Sequence, residues 1–293
     1  MTGSFKDRPD LVGVLGGMGP LATADFVFKL IALTPAERDE DHIPIVVSSC
    51  PQLPSRVAPI LERGARSPLP ELKERLDSML AAGARLIVMP CNTAHHWHAE
   101  LAEAARPIPF PHIADAAADE LGRRGIAGPI GLLATEGALK SGFYQQRLAA
   151  RGLRCALPSE DVTRALVLPG IALVKANRPA EAAPLFREAV RRLKDETESV
   201  IVVLGCTEIP AAFPAGDPWL SAECVDATDA LARATVAWAL AARSSFKRRI
   251  RGRGRGSVPG LPPTSRAPSR TGTGARGARK SARTRRAPPG RWP

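Results

Sequence analysis

The chain predicts an α/β fold: two similar doubly wound parallel-sheet lobes related by pseudo-twofold symmetry, followed by a disordered C-terminal tail. Three observations carry this expectation. Short runs rich in Val, Ile and Leu alternate with amphipathic helical stretches over residues 11–243, and continuous apolar strands of that kind belong to parallel sheets covered on both faces. The rhythm also occurs twice. "VGVLGGMGP" and "IGLLATEGA" both run from strand into turn, with Gly13 and Gly131 in step, 118 residues apart. Finally, from Ser244 to Pro293 the chain is almost all Arg, Gly, Pro, Ser, Ala and Thr, with nothing to bury.

In chain order, "LVGVLGG" reads as a strand and "PLATADFVFKLIAL" as an amphipathic helix with Pro20 in its first turn. "IPIVVSS" is the next strand, and "PELKERLDSMLAAG" a helix closed by Gly83. "RLIVMP" is a strand, "NTAHHWHAELAEAAR" a helix, "IPF" a short strand and "IADAAADELGRRG" a helix. The second half reads as strand "PIGLLATEG", helix "ALKSGFYQQRLAARG", strand "LRCAL", helix "EAAPLFREAVRRLKDE", strand "SVIVVLG" and helix "ATDALARATVAWALAAR". This places a first lobe at 1–110, a second at 111–243 and the tail at 244–293, each lobe of flavodoxin-like type.

The net charge of +12 is unevenly placed. The tail carries 15 Lys/Arg and no Asp/Glu, which leaves 26 basic and 29 acidic side chains before it, a net of −3. A basic footprint for nucleic acid is therefore absent from the lobes. The tail could make weak, nonspecific polyanion contacts, but beyond Phe246 at its start only Trp292 is there to interleave with its charges. "MTGSFKDRPD" lacks the apolar core of a secretory signal. No stretch approaches the roughly 20 apolar residues of a membrane helix, so no membrane is expected. Five cysteines, an odd number spread along a long chain, predict free thiols in a reducing cytoplasm.

Two of those cysteines share a setting. "IVMPCNTAHHWH" and "VVLGCTEIP" each place a cysteine at the end of an apolar strand, followed by threonine and the start of a helix, 115 residues apart. The carboxyl ends of strands line the crevice of such sheets, so Cys91 and Cys206 should face one cleft, one from each lobe. Unpaired backbone N–H groups and the helix dipole there favour thiolate over thiol. The same N–H groups, with Asn92, Thr93 and Thr207, could hold a carboxylate. One thiolate could then remove a proton from a carbon beside that carboxylate, and the opposite thiol return one to the other face. Against this stands the reading of both cysteines as small buried hydrophobes. Cys155 and Cys224 lack the setting and read as structural.

Two other signals lead elsewhere. "GMGPLA" (Gly17 to Ala22) fits a dinucleotide fingerprint, but the second strand ends "SSC", with no acidic residue for the ribose. "HHWH" (His95, His96, His98) suggests a metal, but its spacing is not that of a zinc site.

The motifs "GVLGGMGPLATADF", "MPCNTAHH", "GLLATEGALKSGFYQ" and "LGCTEIP" resemble those of the aspartate/glutamate racemase superfamily, over roughly Leu11 to Ala242. Gly-Gly-Met-Gly at the opening and Glu208 after the second Cys-Thr are similar to the aspartate racemase branch. The resemblance implies an isomerase: a cytoplasmic, PLP-independent amino-acid racemase acting on an acidic amino acid, with no cofactor or metal, and a homodimer. It implies Cys91 and Cys206 as the catalytic pair. Asn92, Thr93 and Thr207 become carboxylate ligands, and Met18, Gly19, Gln52, Arg56, Lys175 and Glu208 further substrate-binding residues. Arg56 would pair bidentately with a side-chain carboxylate. Departures occur at Ser49-Cys50-Pro51-Gln52, Ala138 and Thr163, which bear on the substrate's identity. A maleate-type cysteine isomerase and a non-catalytic acid-binding protein remain as alternatives.

Overall fold

The computed structural model describes residues 8–253. The predicted disorder of 254–293 lies outside the described residues. Two parallel sheets form the framework. The first contains β1 (Val12–Gly16), β2 (Ile45–Ser49) and β3 (Leu86–Val88) in the order β2-β1-β3. The second contains β4 (Ile130–Ala134), β5 (Cys155–Ala156), β6 (Ile201–Gly205) and β7 (Cys224–Asp226) in the order β5-β4-β6-β7. Every strand pair is parallel. The order 2-1-3 of the first sheet recurs as 5-4-6 in the second, so the predicted duplication of a doubly wound unit is present in the topology.

Thirteen α-helices connect and cover the strands of the described residues: α1 (Pro20–Leu33), α2 (Ala58–Leu61), α3 (Leu69–Ala81), α4 (His98–Ala105), α5 (Ile113–Arg123), α6 (Glu136–Ser141), α7 (Phe143–Ala149), α8 (Glu160–Val162), α9 (Leu168–Lys175), α10 (Pro179–Thr197), α11 (Glu208–Ala211), α12 (Pro218–Glu223) and α13 (Ala227–Arg253). Their capping is legible. Pro20 starts α1 with its ring-fixed φ, and Thr135 caps α6 through Oγ1, accepting from the Ala138 N–H at 3.2 Å.

Side-chain alternation along the strands divides the core in three. Val12, Val14, Leu86 and Val88 of the first sheet and Ile130, Leu132, Ile201 and Val203 of the second belong to one shared cluster, with residues of α1, α5 and α13. The opposite parity of the first sheet, Leu15 and Ile87, joins Leu72, Leu76, Met79 and Leu101. That of the second, Leu133, Val202 and Leu204, joins Phe186, Val190 and Leu193. Cys91 and Cys206 continue these outer rows just past the strand ends. Ionic ties cross the shared layer: Lys29 of α1 donates to Asp25 at 2.5 Å and to Asp226 of β7 at 2.7 Å. Arg243 of α13 pairs with the fully buried Asp10.

The structure departs from the sequence reading at several places. "IPF" is not a strand: Pro107, Pro109 and Pro111 remove N–H groups a ladder needs, and its backbone bond to β3 is the one that Ile87 N donates to the Pro109 carbonyl at 3.0 Å. Cys224–Asp226, to which the sequence reading assigns no element, is strand β7. The single helix expected over 138–152 breaks at Gly142, whose φ of 70° ends α6 and begins α7. The last helix continues past the expected edge at 243 to Arg253. No helix of the described residues is long and apolar enough to cross a membrane.

Candidate active site

The site forms where the carboxyl ends of the central strands of the two sheets meet. Past β1, the loop Gly16-Gly17-Met18-Gly19 winds round Thr23. Its Oγ1 accepts from Gly17 N at 2.8 Å and donates to Gly19 O at 3.0 Å. This presents Met18. Past β3 come Cys91, Asn92 and Thr93, past β4 comes Thr135, and past β6 come Cys206, Thr207 and Glu208. These residues, with Ser55, Arg56 and Val57 of the loop after β2 and Lys175 at the end of α9, enclose one cavity of about 70 Å³. Cys91 and Cys206, 4% and 2% exposed, line the same cavity.

The polar groups are held in fixed roles. Thr93 Oγ1 and Thr135 Oγ1 lie 2.7 Å apart, a hydroxyl pair joining the two cysteine-bearing halves. The Tyr144 hydroxyl donates to Asn92 Oδ1 at 2.5 Å. Asn92 Nδ2 is buried with no hydrogen-bond partner among the described residues, and so is Glu208 Oε1. The Cys206 thiol donates to Glu208 Oε2 at 3.1 Å, and Thr207 Oγ1 donates to the same oxygen at 3.3 Å. Arg56 is anchored by its own loop, donating to the Leu53 and Pro54 carbonyls at 3.4 and 3.1 Å.

The electrostatics correct one expectation. Both thiols are pushed above the ordinary cysteine range, not below it. Burial is the largest cause for each. The Glu208 carboxylate adds to it, most strongly at Cys206, which it touches. The backbone N–H groups of Ala94 and Glu208, with Arg56 at Cys91 and Lys175 at both, pull the other way but do not win. Burial therefore favours the neutral form of both thiols.

Of the residues singled out from sequence, Met18, Arg56, Cys91, Asn92, Thr93, Lys175, Cys206, Thr207 and Glu208 all line the cavity. Gly19 sits at its edge, where an added Cβ would stand 3.4 Å from Glu208 Oε1. Gln52 does not line it: the side chain is exposed, with Oε1 3.6 Å from Cys50 Sγ. Ser55, Val57 and Thr135 were missed. Thr135 had a signal, since it ends the "IGLLA" strand where the crevice opens.

The histidines lie apart from the cavity. His95 Nε2 bonds the Met89 carbonyl at 3.0 Å, His98 Nε2 the Phe110 carbonyl at 2.7 Å, and His112 Nδ1 accepts from Ala114 N at 3.1 Å to cap α5. The three rings cluster with centroids 4.4 to 5.4 Å apart, His95 and His98 stacked and His112 tilted against both. Among the described residues no set of three His, Cys, Asp or Glu side chains is placed to hold a metal. Burial lowers the pKa of all three imidazoles, to about 3 for His95. A lowered folded pKa means that the unfolded chain binds the protons first as pH falls. The stability from neutral burial is thus complete above about pH 6.5 and drains away below it. For His95 alone the loss is about 1.4 kcal/mol per pH unit. Unfolding free energies from urea titrations should hold from pH 7.5 to about 6.5 and fall below that by about this much per pH unit or more, and His95→Gln should lessen the fall. A midpoint insensitive to pH in this window would show that the imidazoles are not buried neutral.

A sequence profile of the Asp/Glu/Hydantoin racemase family matches residues 15–235. The broad specificity amino-acid racemase RacX of Bacillus subtilis (strain 168) is 26% identical over 239 residues, covering 80% of this chain and all of that protein. The structure of the Picrophilus torridus aspartate racemase superposes with a TM-score of 0.67 at 28% identity, covering 78% of this chain and 94% of that one. An aspartate racemase homologue from Pyrococcus horikoshii OT3 shares the fold, with a TM-score of 0.62 at 23% identity, over 78% of this chain and 99% of that one. With its twice-used strand order and paired cysteine corners, this chain belongs to the Asp/Glu/Hydantoin racemase family.

Proposed function

We propose that the protein is an amino-acid racemase that interconverts L- and D-aspartate by two cysteine bases, without pyridoxal phosphate. The observation that carries the reading is that two buried thiols, one from each sheet, line a single cavity rich in carboxylate-binding groups. The substrate α-carboxylate is taken by Asn92 Nδ2 and the Thr93 and Thr207 hydroxyls, its side-chain carboxylate by Arg56 and Lys175. The ammonium group goes to Glu208 Oε1, which is buried without a partner among the described residues. One thiolate removes the Cα proton and becomes a thiol. The electron pair passes into the held α-carboxylate, and the opposite thiol protonates the other face of Cα and becomes the thiolate. The small cavity favours a short diacid over larger amino acids.

The test is a panel of L- and D-amino acids incubated with the protein in deuterated water and scored for Cα exchange and inversion. Aspartate should exchange and invert fastest. Exchange of none would overturn the reading in favour of a binding protein. Inversion of glutamate or of neutral amino acids ahead of aspartate would overturn the substrate.

Glu208 also sets the pH dependence. Its negative charge beside Cys206 disfavours the thiolate. Removing the charge in Glu208→Gln lets the thiol ionise more readily, so the optimum of the pH–kcat/KM profile should move to lower pH from either enantiomer. An unmoved optimum would mean that this thiol does not titrate in catalysis.

A further inference from the structure

The chain has a single tyrosine, Tyr144, and it is among the largest fully buried side chains. It lies in α7 and reaches both cysteine corners. Its hydroxyl donates to Asn92 Oδ1, the residue after Cys91, at 2.5 Å. Its ring edge packs on Gly205, the residue before Cys206, where an added Cβ would stand 3.1 Å from Tyr144 Cε2.

The hydrogen bond has a directional consequence. An asparagine amide can be turned either way, with oxygen or nitrogen toward the cavity. A phenol beside a carbonyl oxygen donates to it. With Oδ1 held by Tyr144, the other end of the amide, Nδ2, is the one left over. It is buried without a partner among the described residues, in a side chain that lines the cavity. The arrangement leaves two N–H donors for an anionic ligand. Turned over, the same amide would offer a carboxylate its oxygen.

We propose that Tyr144 is a positioning residue for substrate binding: by holding Asn92 Oδ1 it keeps the Asn92 amide N–H groups aimed at the substrate α-carboxylate. This rests on the racemase reading above. The donors hold the α-carboxylate in the ground state and hold it more tightly as it gathers charge on Cα deprotonation, so loss of the aim raises KM and lowers kcat together.

The test is Tyr144→Phe, which keeps the ring against Gly205 and removes only the hydroxyl. KM for aspartate should rise roughly tenfold in both directions, the effect of one misaligned buried hydrogen bond. The value of kcat should fall as well in both directions, while thermal stability remains close to that of the parent. A second arm needs no turnover. The lone tyrosine gives one phenol signature in ultraviolet resonance Raman spectra, and Asn92→Ala should shift it by removing the acceptor. Unchanged KM in Tyr144→Phe in an otherwise active enzyme, or a lowered kcat at unchanged KM, overturns the positioning role alone. An unshifted phenol signature overturns the contact itself. If the parent protein neither exchanges nor inverts any amino acid, it is the racemase reading that falls.

Discussion

Cys91→Ala and Cys206→Ala should each slow inversion by about 10²–10⁴-fold, since each removes one of two acid–base groups whose individual contribution is of that size. The stronger expectation is qualitative. A single remaining thiolate can still remove the Cα proton from the face it reaches and return a solvent-derived one to the same face. Each variant should therefore exchange deuterium slowly into one enantiomer without inverting it, and the two variants should choose opposite enantiomers. Both cysteines sit in apolar clusters past the strand ends, so alanine is accommodated with little loss of packing. Chiral chromatography and mass spectrometry on single-enantiomer substrates read the outcome directly. Near-parental inversion by either variant would refute the pairing, and so would exchange of the same enantiomer by both.

Gly17→Ala should destabilise the protein by roughly 3–5 kcal/mol, a sum of backbone strain and steric overlap. The residue has φ of 89°, a region that costs an L side chain about 1–2 kcal/mol. An added Cβ would also stand 2.2 Å from Cys50 N and 2.6 Å from Cys50 C. These are backbone atoms at the end of β2, and they cannot rotate away. Relief requires the β1–α1 loop to lift, which moves Met18 out of the cavity wall and loosens the Thr23 bonds. Denaturant titration should show the loss, with reduced activity in the folded fraction. A change below about 1 kcal/mol would mean that the loop does not press on β2 as described. The contact also accounts for the Gly-Met-Gly segment without any dinucleotide: the glycine makes room for a neighbouring strand end, not for a pyrophosphate.

Much of this was legible in the sequence because strand, turn and helix signals agreed with one another. "PLATADFVFKLIAL" has a proline start and apolar spacing, and α1 occupies those same residues. "LGCTEIP" keeps its meaning in three dimensions: Cys206, Thr207 and Glu208 all reach the cavity. The failures have local causes. β7 contains one β-former, Val225, and owes its strand to pairing with β6. α9 was not assigned because Pro169 and Gly170 sit in its first turn. "CPQLPSR" marked the correct loop but not which side chains turn inward: Arg56 and Ser55 do, Gln52 does not. The thiol pKa values could not be read from motif position, because helix-end dipoles were visible in the sequence and burial was not. Tyr144 was part of a quoted motif, yet its partner lies 52 residues away.

The two thiols are mirrored in position but not in surroundings, since only Cys206 hydrogen-bonds Glu208. Enantiomers have equal free energy, so for a racemase the Haldane relation requires kcat/KM to be identical from the left and from the right. The lopsided carboxylate therefore cannot make the enzyme prefer one product. It can express itself only as kcat and KM that differ between the forward and reverse reactions by one and the same factor.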